Sequence, residues 1–97
     1  MPVATGPNDT RIHYERHDGD GPAVVLLQGL SLSGRFWFDM PVRLQQRSRR
    51  YRVLVPDNRG TGRSDKPRGR YRMADMADDV AAVLDHAGEK DAIVVGI

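Results

Sequence analysis

No cysteine occurs in the 97 residues, which excludes a disulfide framework, a thiolate metal site and a cysteine nucleophile within them. Long apolar runs are absent too. No stretch approaches the roughly 18 residues of a membrane span, and the opening Met-Pro-Val-Ala-Thr-Gly lacks the basic segment and apolar core of a signal peptide. A cytoplasmic protein with no membrane partner is the expectation. Charge imbalance is small, at +2, although thirteen of the fifteen basic residues are arginine and ten of those lie between Arg43 and Arg72. Asp57, Asp65, Asp75, Asp78 and Asp79 are interspersed with or follow them, and no nucleic-acid reading motif accompanies the charge. A solvated arginine-rich surface is expected, and no nucleic-acid partner. Internal repeats, low-complexity tracts and domain linkers are also missing, so residues 1–97 read as part of one domain.

What is present suits a packed core. Hydrophobic residues make up 39% and charged residues 29%, with apolar stretches separated by Gly- and Pro-rich turns. Thr10 to Arg16 alternates Ile12 and Tyr14 against Arg11, His13 and Glu15, the pattern of a strand with one buried face. Asp18-Gly19-Asp20-Gly21-Pro22 then makes a turn. Ala23 to Leu27, Val53 to Val55 and Ala92 to Val95 run apolar without alternation, as strands of a parallel sheet covered on both faces do.

Two helical stretches lie between these runs. The first is placed at about Asp39 to Ser48, with Asp39 as its cap and Pro41 in its first turn. In the second, Met73, Met76, Ala77, Val80, Val83, Leu84 and Ala87 repeat at three- and four-residue steps. Asp75, Asp78 and Asp79 suit its positive end, and Gly88 stops it. The order is strand, strand, helix, strand, helix, strand. It predicts an α/β sheet with an antiparallel start followed by parallel strands joined by crossover helices.

Two loops stand out. Leu26-Leu27-Gln28-Gly29-Leu30-Ser31 leaves a buried strand and turns at a glycine, freeing backbone N–H groups at the strand's carboxyl end, where α/β sheets bind ligands. The second is Val55-Pro56-Asp57-Asn58-Arg59-Gly60-Thr61-Gly62-Arg63-Ser64-Asp65. There Asp57 can accept backbone N–H bonds and Arg59 can pair with a carboxylate. Gly60-x-Gly62 is not a dinucleotide fingerprint, because Asp65 stands where a third glycine is needed. His13, His17 and His86 are expected in a strand, in a turn and at a helix end, and Ser31, Ser33 and Ser64 in capping or turn bonds. None of these serines has a base at a recognisable spacing.

From Val24-Val25-Leu26-Leu27-Gln28-Gly29 through Trp37, the D-x-R-G-x-G-x-S-D stretch at Asp57 to Asp65, Met76 to Val80 and Ile93-Val94-Val95-Gly96, the chain resembles the α/β-hydrolase superfamily. The resemblance is to its enol-lactonase, esterase and haloperoxidase-like members. It implies the amino-terminal, incomplete part of an α/β-hydrolase sheet, with Gly96 as the first glycine of the G-x-S-x-G nucleophile turn. The Ser-His-Asp triad would then lie beyond Ile97 and act on a carboxylic ester, lactone or related acyl substrate, without cofactor or metal. An Asp-nucleophile dehalogenase or epoxide hydrolase, or a non-catalytic truncated product, are the alternatives. By the same resemblance the Leu30 backbone N–H belongs to the oxyanion hole, with Gln28 where His is common. Gly29 and Trp37 become candidate contacts to a small-molecule substrate. The chain alone is expected to be inactive and to self-associate.

Overall fold

The apolar run at Ala23–Leu27 lies inside a five-stranded sheet, one strand in from its edge and flanked by the two other runs. The computed structural model describes residues 2–29, 33–47, 50–69 and 71–96. Its strands are β1 (Val3–Thr5), β2 (Arg11–His17), β3 (Ala23–Leu27), β4 (Arg52–Pro56) and β5 (Ala92–Gly96), in the spatial order β1-β2-β4-β3-β5. Strand β2 is antiparallel to both β1 and β4, whereas β3 is parallel to β4 and β5. The antiparallel start and the parallel crossover strands match the order of elements in the sequence.

Two helices make the crossovers. Helix α1 (Met40–Gln45) lies between β3 and β4, and α2 (Met73–Ala87) between β4 and β5. The first crossover steps from β3 to one side, and the second steps back across β3 to the other. Right-handed crossovers made in opposite directions place their helices on opposite faces, and the core shows this. Val24, Leu26, Val53 and Val55 pack with Trp37, Leu44 and Tyr51 on the α1 face. Val25 and Leu54 pack with Ile12, Tyr14, Val83 and Ala87 on the α2 face. Both sets of β3 side chains are covered, which is why its sequence shows no alternation.

One strand has no counterpart in the sequence reading, and four local expectations are corrected. Strand β1, with a single buried residue, Ala4, is too short for its pattern to stand out in the sequence. His17 ends β2 and does not lie in the following turn. A 3-10 turn over Gly34–Trp37 precedes α1, and Ser33 before it makes no side-chain capping bond. Helix α1 is shorter than the stretch from Asp39 to Ser48, whose last residue lies outside the described residues, and Asp39 does not cap it. Its carboxylate is taken by Arg43 at 2.8 Å, one turn on. Helix α2 ends as expected, with Gly88 in the left-handed region at φ 77°.

Ion pairs absorb much of the arginine content. Arg11, Arg16, Arg43, Arg50, Arg52, Arg59 and Arg72 each lie within 4 Å of an aspartate or glutamate. Arg52 grips Glu89 with both Nε and Nη2, at 2.8 and 2.7 Å, and donates from Nη1 to the Gly21 carbonyl. It thereby ties the start of β4 to the turn after α2. The guanidinium holds the Glu89 carboxyl below its ordinary pKa. No helix among the described residues is long and apolar enough to cross a membrane.

Candidate active site

Because the chain leaves β3 toward one face and β4 toward the other, the loops at their carboxyl ends diverge and leave a crevice, the usual ligand position in α/β sheets. Gln28 and Gly29 exit β3 there, and Asp57 and Asn58 exit β4. The two exits are joined directly. Asn58 Nδ2 donates to the Gln28 carbonyl at 2.9 Å.

The loop after β4 is built around Asp57, which is buried. Its Oδ1 accepts the Gly34 N–H at 2.7 Å and its Oδ2 the Arg63 N–H at 3.1 Å. Its own N–H donates to the His13 carbonyl at 2.9 Å. Ser64 Oγ accepts from His13 N at 2.9 Å and donates to the Asp57 carbonyl, so this serine closes the loop onto β2. Gly60 and Gly62 have φ of 82° and 49°, where a Cβ would strike the Tyr71 ring and the Asp57 carboxylate respectively. The two glycines therefore serve compactness around a carboxylate. Arg59 is buried and meets Asp79 of α2 through Nε and Nη2, at 2.6 and 2.7 Å. That contact keeps the guanidinium protonated against the opposing effect of burial.

Beside the Asn58 to Gln28 bond lies a cavity of about 250 Å³, lined by Leu27, Gln28, Asn58, Met73, Met76, Ala77 and Val80. It is apolar except for the two amide residues at one end, the usual make-up of a small-molecule pocket. Met73, 79% exposed, shows that the first turn of the α2 stripe is not covered by the sheet.

Leu30 and Ser31 lie outside the described residues. Gly29 is half-buried at the exit of β3. Trp37 is half-buried against Val24, Leu26, Val53 and Val55 on the α1 face, and it is not among the residues lining the cavity. None of the histidines lines this cavity. The Tyr14 hydroxyl and His86 Nδ1 are 2.7 Å apart on the α2 face, and burial raises the Tyr14 pKa. Sequence reasoning missed two residues. Asn58 reaches a backbone carbonyl thirty residues away. Asp79 looked like a dipole partner in an early turn of a helix but is buried against Arg59.

A family model for the alpha/beta hydrolase fold matches residues 22–97. The chain belongs to this family. It is 38% identical over 96 residues to "Putative carbamate hydrolase RutD" of Azorhizobium caulinodans, covering 99% of this chain and 34% of that one. It is 41% identical over 92 residues to Epoxide hydrolase B of Mycobacterium tuberculosis, covering 90% and 25%. The solved enol-lactonase of Burkholderia xenovorans LB400 superposes with a TM-score of 0.86 at 30% identity, over 99% of this chain and 36% of that one. Est816, described as an N-acyl homoserine lactone degrading enzyme, gives 0.87 at 36%, over 98% and 35%. The chain thus spans between a quarter and about a third of the length of these relatives. Within this α/β-hydrolase framework, Asp57, Asn58, Thr61 and Ser64 bind backbone groups, Arg59 binds Asp79 of α2, and Asp65 binds Arg11 of β2.

Proposed function

We propose that the chain forms the amino-terminal third of an α/β hydrolase acting on a carboxylic ester, lactone or related acyl compound, and supplies its oxyanion side. The observation that carries this reading is the crevice at the carboxyl ends of β3 and β4, where Gln28 and Asn58, joined by a hydrogen bond, line a small apolar cavity. Leu30 N–H is assigned to the oxyanion by family resemblance, with Gly29 shaping the turn and Trp37 a further candidate substrate contact. Residues following Gly96 would supply the nucleophile, acid and histidine. Among the described residues, Ser64 Oγ is bonded to His13 N and to the Asp57 carbonyl, and the hydroxyl that meets an imidazole is Tyr14's. Neither makes an activated serine. An aspartate-nucleophile epoxide hydrolase is the second reading, favoured by the 41% identity to Epoxide hydrolase B.

The residues here should therefore show no turnover above background with a p-nitrophenyl ester series, because an oxyanion loop without a nucleophile and base leaves little catalysis. Turnover that survives purification and disappears on replacing His13, His17 or His86 would overturn this. Reading the coding sequence past Ile97 separates the two chemistries. A serine as the next residue supports acyl transfer, an aspartate supports the epoxide reading, and any other residue contradicts both.

A further inference from the structure

We propose that Asn58 is a positioning residue that sets the orientation of the Gln28–Gly29 peptide at the mouth of the crevice. The inference rests on the hydrolase reading for its catalytic consequence, and on geometry for its local one. Asn58's backbone carbonyl is already engaged, accepting from Thr61 N at 3.0 Å and Thr61 Oγ1 at 2.7 Å. The residue is thus fixed by its own turn. Its side chain crosses to the neighbouring loop and donates to the Gln28 carbonyl at 2.9 Å. One residue earlier, Asp57 Oδ1 holds the Gly34 N–H at 2.7 Å. Two consecutive side chains at the exit of β4 therefore hold both ends of the segment that leaves β3.

The Gln28 end matters for chemistry because a peptide unit is planar and trans, and no cis bond occurs among the described residues. Drawing the Gln28 carbonyl toward Asn58 turns the Gly29 N–H away from β4, toward the side of β3 on which β5 runs. There Leu27 is opposite Gly96 in the β3–β5 register. Donors for a developing oxyanion must be oriented before the reaction to be worth their full effect. The assigned donor, the Leu30 N–H, belongs to the next peptide, so a Gln28–Gly29 peptide without its carbonyl anchor can rotate and leave that donor unfixed. Asn58 also lines the cavity, so its amide is at the site and not behind it.

Asn58→Leu and Asn58→Asp keep the approximate volume and remove the donor, whereas Asn58→His keeps one. In these residues joined to the remainder of Est816, hydrogen exchange read by mass spectrometry over the segment ending at Gly29 should quicken about tenfold in the Leu and Asp variants, and much less in the His variant. Exchange in α2 should stay unchanged. In the same residues joined to the remainder of Est816, kcat for lactone hydrolysis should fall about tenfold in the Leu and Asp variants with KM within about twofold. The His variant should recover most of the loss. Unchanged exchange over that segment would overturn the proposal, as would faster exchange with an unaltered kcat in an active fusion. A fusion that is inactive with Asn58 intact, while exchange still responds as stated, would sink the hydrolase reading and leave the local role standing.

Discussion

Replacing Arg59 with Ala is expected to lower the stability of the chain by about 3–5 kcal/mol, the usual cost of leaving one member of a buried ion pair alone. Arg59 and Asp79 side chains are 4% and 5% exposed, and both carboxylate oxygens are bound by the guanidinium. Removal of Arg59 leaves a carboxylate that cannot reach water. Nor can the surroundings relax around it easily, since Gly6 packs so closely on Asp79 that a Cβ there would collide with the carboxylate. The pair also joins three segments distant in sequence, namely the loop after β4, helix α2 and the turn after β1. Asp79→Ala should cost as much, for the mirror-image reason. The double substitution Arg59→Met with Asp79→Leu should be far milder, because no charge is then left buried. Urea unfolding followed by circular dichroism, with these residues joined to the remainder of Est816 so that β5 is covered, measures all three. A loss below about 1 kcal/mol for Arg59→Ala would contradict the structural role given to the pair.

The second large effect is at β5. Ile93, Val94 and Val95 are 49%, 55% and 39% exposed, and β5 is the last strand of the sheet, paired to β3 on one side. Covering even a few hundred Å² of such surface stabilises by roughly 5–10 kcal/mol at ~25 cal/mol per Å², comparable with the whole stability of a small domain. An apolar strand edge without charge or proline also invites pairing with another copy. We expect the 97-residue chain to self-associate or to be partly unfolded, and Val94→Lys to shift it strongly toward monomer. Size-exclusion chromatography with near- and far-UV circular dichroism decides this. A monomeric wild-type peak with a cooperative thermal transition would show that β5 needs no cover.

How far the sequence anticipates this structure depends on where each residue finds its partner. Strands β3 and β4 are legible because both faces are buried, so a continuous apolar run has one reading. Helix α2 is legible from its apolar stripe and from Gly88. Helix α1 misleads because a cap is a local bond, and Arg43 competes for the Asp39 carboxylate. Strand β1 leaves almost no pattern. The second loop shows the same division. That Asp57 accepts backbone N–H groups and Arg59 seeks a carboxylate follows from their chemistry, whereas the choice of Gly34 and Asp79 as partners needs the fold. Asn58 has the weakest sequence signal. Its acceptor is a main-chain carbonyl, which any residue at position 28 would provide.

These residues are proposed to form the oxyanion side of a hydrolase's catalytic edge. This role is tested most directly by exchanging them for the matching segment of Est816, which the chain covers over 35% of its length. The account predicts a folded chimera that hydrolyses an N-acyl homoserine lactone within roughly a hundredfold of the parent enzyme. A chimera that folds but turns over no faster than one lacking the nucleophile would contradict it.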